Sequence, residues 1–172
     1  PTASSRPAAT VLPEGLSWLE ASALGRAVRG AGVWSYATIN LAHIVGVATL
    51  FGSVLLLDLK LLGLFRRVPL SIVSVPTVRL AAVGFGIAAL SGLCLLATNA
   101  TEYTGNPFLL IKFGAIAAGL ANVLLVRSMR AWRDRSLEPF APLQKRQLAL
   151  AGGVSLLAWT TAVTAGRMIG YW

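Results

Sequence analysis

Four long apolar runs constrain the fold of this chain more than any other feature of its sequence. They occupy about residues 34–57, 79–97, 108–126 and 148–170. A helix needs about 20 apolar residues to cross the hydrocarbon core of a bilayer, and each run is close to that length. Only 12% of the residues are charged, and the mean hydropathy is +0.72. We therefore predict an all-α membrane protein, a single domain whose four transmembrane helices form an antiparallel bundle.

The sequence before the first run divides into two parts. Residues 1–13 are rich in Ala, Ser, Thr and Pro, a composition typical of a disordered tail. In residues 14–30, Leu16, Leu19, Leu24 and Val28 recur near helical spacing, with charged residues between them. This pattern predicts an amphipathic helix that lies at the membrane interface. The transmembrane domain then covers residues 34–170.

The positive charge of the chain predicts its orientation. The net charge is +9, and most of the Lys and Arg residues lie in segments 58–79 and 127–147. Because cytoplasmic loops of membrane proteins are enriched in Lys and Arg, we expect both segments in the cytoplasm and both termini on the periplasmic side of a bacterial inner membrane. The expected partner is the lipid bilayer and not nucleic acid. The sequence leaves open a homodimer or a place in a membrane complex.

Two residues of these loops have expected structural roles. Asp58 can pair with Lys60, Arg66 or Arg79 and so fix the helix ends. Trp132 lies in the second basic segment, where it is expected to anchor the chain at the interface.

His43 is the only histidine of the chain, and it lies about ten residues into the first run, near the bilayer midplane. A titratable group in hydrocarbon needs a partner, a ligand or a water-filled cavity. Gly46, three positions later, would let a flat cofactor or another helix approach closely. The alternative is a core histidine that is hydrogen-bonded to Asn122 or Thr49.

Lys112 opens the third run and Arg167 closes the fourth, so both are expected at the same membrane level. Together they can surround an anionic group, such as a porphyrin propionate, or a quinone oxygen. The alternative for Lys112 is that its stem extends to the interface. One histidine cannot form a zinc site alone, but it can be an axial haem ligand. The single cysteine, Cys94, excludes a disulfide within the chain.

Several short motifs carry a family resemblance. They are Asn40-Leu-Ala-His-Ile-Val-Gly46, Leu55-Leu-Leu-Asp-Leu-Lys-Leu-Leu-Gly63, Arg79 with a Gly-rich second run, and Asn106-Pro-Phe-Leu-Leu-Ile-Lys112. In this order they resemble an uncharacterised bacterial family of four-helix membrane proteins. That family is similar in plan to the copper-resistance D membrane proteins and to the four-helix bacterial protoporphyrinogen oxidases. The resemblance implies haem b as cofactor, with His43 and Lys112 as the functional pair.

We therefore predict a haem-b-binding membrane redox protein that transfers electrons or oxidises a small substrate. In this hypothesis His43 is the axial ligand of the haem iron, while Lys112, Arg167 and Gly46 contact the cofactor. The first alternative is a cofactor-free accessory or structural subunit of a larger membrane complex. The second is transport of copper or a small solute, against which the lack of carboxylates inside the apolar runs argues.

Overall fold

The computed structural model describes residues 8–137 and 139–172, with side chains from residue 13 onwards. All regular structure in this part of the chain is helical. The helices are α1 (Ala8–Glu20), α2 (Ala23–Gly30), α3 (Gly32–Leu61), α4 (Leu70–Thr98), α5 (Pro107–Ser128), α6 (Arg130–Arg133) and α7 (Pro142–Met168). Four of them, α3, α4, α5 and α7, are long and apolar enough to cross a membrane. The predicted all-α membrane fold is confirmed.

The outer faces of the four long helices are apolar. Leu41 on α3, Leu90 on α4 and Leu157 on α7 are 61%, 72% and 71% exposed, and many other large apolar side chains are exposed with them. A soluble monomer rarely exposes contiguous apolar patches of more than a few hundred Å². These faces therefore require lipid, and the chain is a multi-pass membrane protein.

The bundle consists of two antiparallel helix pairs. Helix α3 packs along α4, α5 packs along α7, and α3 also contacts α7. Helices α4 and α5 are neighbours in sequence but scarcely touch each other. The order of packing is therefore α4–α3–α7–α5, and the bundle is open along the side between α4 and α5.

Glycines allow the helices of the first pair to approach closely. A Cβ atom on Gly84 of α4 would lie 2.6 Å from the backbone nitrogen of Leu50 on α3. One on Gly46 of α3 would lie 2.7 Å from the backbone nitrogen of Ala88 on α4. Small residues at such crossings are typical of membrane helices, which associate through van der Waals packing.

The second pair and its contact with α3 use larger polar and aromatic groups. The ring of Trp159 on α7 fills the space beside Gly119 on α5, and the Asn122 side chain donates a 3.0 Å hydrogen bond to the carbonyl oxygen of Ala151. Gly152 of α7 lies against the backbone of Asp58 on α3. These contacts hold α7 between α5 and α3.

The N-terminal region differs from the single helix predicted over residues 14–30. Helix α1 already includes residues 8–13, whereas the rest of the predicted tail, residues 1–7, lies outside the described residues. The chain turns at Ala21 and Ser22, and the Ser22 hydroxyl accepts a 3.2 Å hydrogen bond from the backbone nitrogen of Gly25 to begin α2. A serine at this position is a strong helix N-cap, so it favours two helices over one.

Helices α1 and α2 cap the end of the bundle where α4 stops. The side chain of Leu16 is buried with Ala100 and Leu109. The guanidinium of Arg29 donates to the backbone oxygens of Thr98, at 2.8 Å, and Glu20, at 2.9 Å. Because the last carbonyls of a helix have no partners within it, Arg29 satisfies the ends of both α4 and α1.

Glu20 of α1 also binds the N-terminal cap to the bundle, as an acceptor of hydrogen bonds. Its carboxylate accepts hydrogen bonds from the hydroxyl and the backbone nitrogen of Thr101, both at 2.7 Å. The two hydrogen bonds hold the pKa of Glu20 below its ordinary value, and the bond from the hydroxyl is the larger cause. The polar face of the N-terminal helices is thus bound to the bundle as well as exposed to solvent.

Helix α4 begins at Leu70, nine residues before the apolar run from which it was predicted. Pro76 lies inside this helix, although a proline in a helix interior usually kinks or breaks it. Proline lacks the N–H that the helix would use, and membrane helices tolerate it where other groups supply hydrogen bonds. The carbonyl oxygen that the missing N–H of Pro76 would meet is that of Ile72, four residues earlier, whereas the hydroxyl of Thr77 donates to the next carbonyl oxygen, that of Val73, at 2.7 Å.

Trp132, which was expected to anchor the chain at the interface, is buried among other side chains of the protein. Only 8% of the residue is exposed, and it belongs to a core cluster with Leu61, Leu70 and Leu148. Arg135 covers its ring, with the guanidinium carbon 5.1 Å from the ring centroid. Helix α6 is therefore part of the packed end of the bundle that lies opposite the N-terminal cap.

Candidate functional site

His43 of α3 is held by the backbone of α4. Its Nδ1 atom lies 2.9 Å from the carbonyl oxygen of Ala88 and 3.2 Å from the hydroxyl oxygen of Ser91. The Ser91 hydroxyl itself donates to the carbonyl oxygen of Ile87 at 2.5 Å. One turn of α4 therefore provides two oxygen atoms for the same ring nitrogen.

This arrangement determines the tautomer of the imidazole. A backbone carbonyl can only accept a hydrogen bond, so Nδ1 carries the proton and Nε2 keeps its lone pair. Among the described residues, Nε2 has no hydrogen-bond partner. A ligating histidine is ordinarily fixed in this way, with one ring nitrogen bonded to a carbonyl and the other left for the metal.

Glycines shape the surroundings of the ring. A Cβ atom on Gly92 would lie 2.8 Å from Cε1 of His43, so only glycine leaves room for the imidazole in this position. Gly46 is buried, and its open side is filled by the backbone of Ala88. The close approach at Gly46 is that of another helix.

Lys112 of α5 shares this part of the bundle with His43. The two groups are near enough for a Coulomb interaction, although α3 and α5 belong to different helix pairs. The end of the lysine side chain lies beside Gly166 of α7, where a Cβ atom would be 3.5 Å from both Cε and Nζ. No hydrogen-bond or ion-pair partner of Nζ occurs within the described segments.

Arg167 does not join His43 and Lys112. It is exposed, its guanidinium donates to the hydroxyl of Tyr171, and its central carbon lies 4.7 Å from the centroid of the Tyr171 ring. Among the described residues, no hydrogen bond joins any two of the three residues that were expected to form a cluster.

The two partners proposed for a core histidine are engaged elsewhere. Asn122 donates to Ala151 on α7, and the hydroxyl of Thr49 donates to the carbonyl oxygen of Val45 at 2.8 Å. Neither side chain forms a hydrogen bond with His43. The histidine has instead partners on α4 that the sequence pattern did not indicate.

A second feature of the bundle was missed in the sequence. Asp58 is only 3% exposed and lies within the span formed by α3. The carboxyl interacts with the hydroxyl of Ser155 on α7, and its Oδ2 atom has no hydrogen-bond partner. The predicted ion pairs with Lys60, Arg66 or Arg79 do not occur. Helix α3 therefore carries a buried carboxyl group one residue beyond the apolar run that was predicted for it.

Asp58 lines a cavity of about 250 Å³ on the open side of the bundle. Residues of α3, α4, α5 and α7 line it, together with Trp132 of α6. Most of the lining is apolar and includes Phe85 and Trp159, and Arg127 is also among the lining residues. This cavity is a potential binding site within the bundle.

The length of the helix explains why Asp58 was assigned to a loop. The apolar run was taken to end at Leu57, but α3 continues by one more turn to Leu61. The sequence signal for this extra turn is that Leu61, three residues after Asp58, is again apolar, so the helical pattern extends past the carboxylate.

No three His, Cys, Asp or Glu side chains cluster as a metal site in the described part of the chain.

A family model described as a family of unknown function (DUF6644) matches residues 15–172. Neither a curated protein nor a solved structure matches the chain.

Proposed function

The chain belongs to the DUF6644 family, whose function is unknown. From the residues themselves, we propose that it is a membrane redox protein that binds haem b. In this proposal His43 is an axial ligand of the haem iron. The observation that carries this proposal is the 2.9 Å contact between Nδ1 of His43 and the carbonyl oxygen of Ala88. It leaves Nε2 free, oriented and without a partner in the described residues. The likeness in plan to the copper-resistance D proteins and the four-helix protoporphyrinogen oxidases is part of this proposal.

Lys112 supports the proposal as the second group of the site. Its ammonium is partly buried and has no anionic partner among the described residues, so it is available to pair with a haem propionate. Arg167 can contribute a second cation at the same end of the bundle once it leaves Tyr171. Haem b, when bound, supplies one-electron chemistry at its iron.

The residues of α4 complete the site by fixing the ring of His43. Ala88 and Ser91 hold its tautomer, and Gly92 leaves the space in which the imidazole lies. We place this site in the half of the bundle that carries the N-terminal cap. The distribution of Lys and Arg favours the periplasmic side of a bacterial inner membrane for that half.

The decisive measurement is the absorption spectrum of protein purified in detergent after expression with added haem. The wild-type chain is expected to show a Soret band and, on reduction, the visible bands of haem b. His43→Ala should remove them, whereas Asn40→Ala, which changes an exposed polar residue on the same helix, should retain them. Wild-type protein without a Soret band would refute the proposal.

A second function, that of a cofactor-free accessory subunit, is favoured by one observation. The ring of His43 already packs against Gly92 and bonds α4, so it stabilises the contact between α3 and α4 without any ligand. If this second function is correct, the wild-type protein should show no haem bands. His43→Ala should nevertheless have a lower thermal stability than the wild-type protein.

A further inference from the structure

The cavity that is lined by all four long helices contains a carboxyl group with one unpaired oxygen. Asp58 is 3% exposed, and its Oδ2 atom accepts no hydrogen bond. A buried polar oxygen without a hydrogen bond is costly, so a ligand that donates to this oxygen would remove a penalty that the folded protein otherwise carries.

The cation nearest to this role, Arg127, does not donate to the unpaired oxygen of Asp58. Arg127 lines the same cavity, but it forms no ion pair with Asp58. Both residues lie near the ends of their helices, Asp58 in the last turn of α3 and Arg127 in the last turn of α5. These ends are at the same side of an antiparallel bundle. The cavity thus presents a negative and a positive group at one membrane level.

The remaining lining shows what kind of molecule fits between them. Leu50, Val54 and Leu57 on α3 and Leu120 and Val123 on α5 make the cavity largely apolar. Helices α4 and α5 scarcely touch each other, so no contact between these helices closes the cavity on that side. A ligand that enters from the bilayer therefore has apolar chains and a polar end with both charges.

We propose that this cavity binds the headgroup of an aminophospholipid, whose primary ammonium donates to Asp58 and whose phosphate pairs with Arg127. The apolar walls contact the first part of the acyl chains, which extend through the gap into the bilayer. A primary ammonium has N–H donors for the free carboxylate oxygen, whereas a quaternary ammonium has none. A phosphoglycerol headgroup lacks the cation altogether.

Lipid retention measured by native mass spectrometry tests the proposal. Delipidated protein is offered equal amounts of phosphatidylethanolamine, phosphatidylcholine and phosphatidylglycerol with identical acyl chains. The wild-type protein is expected to retain the ethanolamine lipid about tenfold better than the choline lipid, the effect of one charge-assisted hydrogen bond. Equal retention of these two lipids in the wild-type protein would overturn the proposal, whether or not any variant folds.

Matched variants assign the two charges. Asp58→Asn should abolish the preference for ethanolamine over choline, while Asp134→Asn, at an exposed position, should keep it. Arg127→Gln should weaken retention of both lipids, and Arg130→Gln should not. An unchanged preference in Asp58→Asn would refute its role. Displacement of the lipid by soluble phosphoethanolamine at equal concentration would show that the ligand is a soluble headgroup and not a lipid.

Discussion

The close contact between α3 and α4 makes a strong prediction about Gly84. A Cβ atom at this position would lie 2.6 Å from the backbone nitrogen of Leu50 and 2.9 Å from the carbonyl oxygen of Gly46. Ordinary contacts of a Cβ atom begin at 3.4 Å. Both neighbours are backbone atoms of a helix, which cannot rotate away as a side chain can. In Gly84→Ala the two helices must therefore separate locally by about 0.8 Å, the difference between these distances.

The energetic cost of this separation follows from the tight packing of protein interiors. Overpacking a well-packed contact by one methyl group typically costs about 1–3 kcal/mol. For a chain of this size each kcal/mol lowers Tm by about 2–4 °C. The same displacement near Ala88 would lengthen the bond from His43, so the proposed haem site should weaken together with the fold.

Thermal unfolding in detergent, followed by circular dichroism, measures the effect. The matched control is Gly86→Ala on the same helix, where a Cβ atom meets nothing within 4 Å. The control should leave Tm unchanged or raise it, because alanine loses less backbone entropy than glycine in a helix. If Gly84→Ala and Gly86→Ala unfold at the same temperature, the packing of α3 on α4 described above is incorrect.

Three further predictions concern other parts of the molecule. The pKa of Glu20 is lowered in the folded protein, so the Glu20 carboxylate stabilises the docked N-terminal cap at neutral pH. This stabilisation is lost when acid protonates the carboxylate. The amide NMR shift of Thr101 should therefore titrate in wild-type protein and not in Glu20→Gln. Lys112→Met should reduce haem retention about tenfold. The absorption spectrum of the haem that remains should still show ligation of the iron by His43. Gly119→Ala, whose Cβ atom would lie 2.9 Å from Cε2 of Trp159, should shift the tryptophan emission and lower Tm; an unchanged spectrum and Tm would contradict the packing at that site.

The membrane fold could be predicted because the hydrophobic requirement of a bilayer acts on whole segments. Four apolar runs are sufficient to indicate four helices, and the structure confirms them. The helix ends were harder to predict because they depend on single hydrogen bonds. Ser22 divides the N-terminal region into two helices through the hydrogen bond that its hydroxyl accepts from Gly25. The sequence displays this hydroxyl group but not the N–H group that it meets.

The candidate site could be predicted only in part for a similar reason. His43 stands out as the one histidine in an apolar run, but its main partner, the carbonyl of Ala88, is a backbone atom that every residue possesses. Asp58 was visible in the sequence, yet its burial depends on Gly152 of α7, almost a hundred residues away. Long-range placement of this kind follows from helix packing, which composition and periodicity do not specify.

The division of the bundle into two helix pairs has a consequence for its biogenesis. Each pair is contiguous in the chain, since α3 packs on α4 and α5 packs on α7. As the chain is synthesised from its N-terminus, the first pair can insert and pack as a helical hairpin before the second leaves the ribosome. The contacts of α7 with α5 and with α3 must wait for the last span. Two helical hairpins that pack on each other through α3 and α7 leave α4 and α5 at the outer edges, which is why the bundle is open between them.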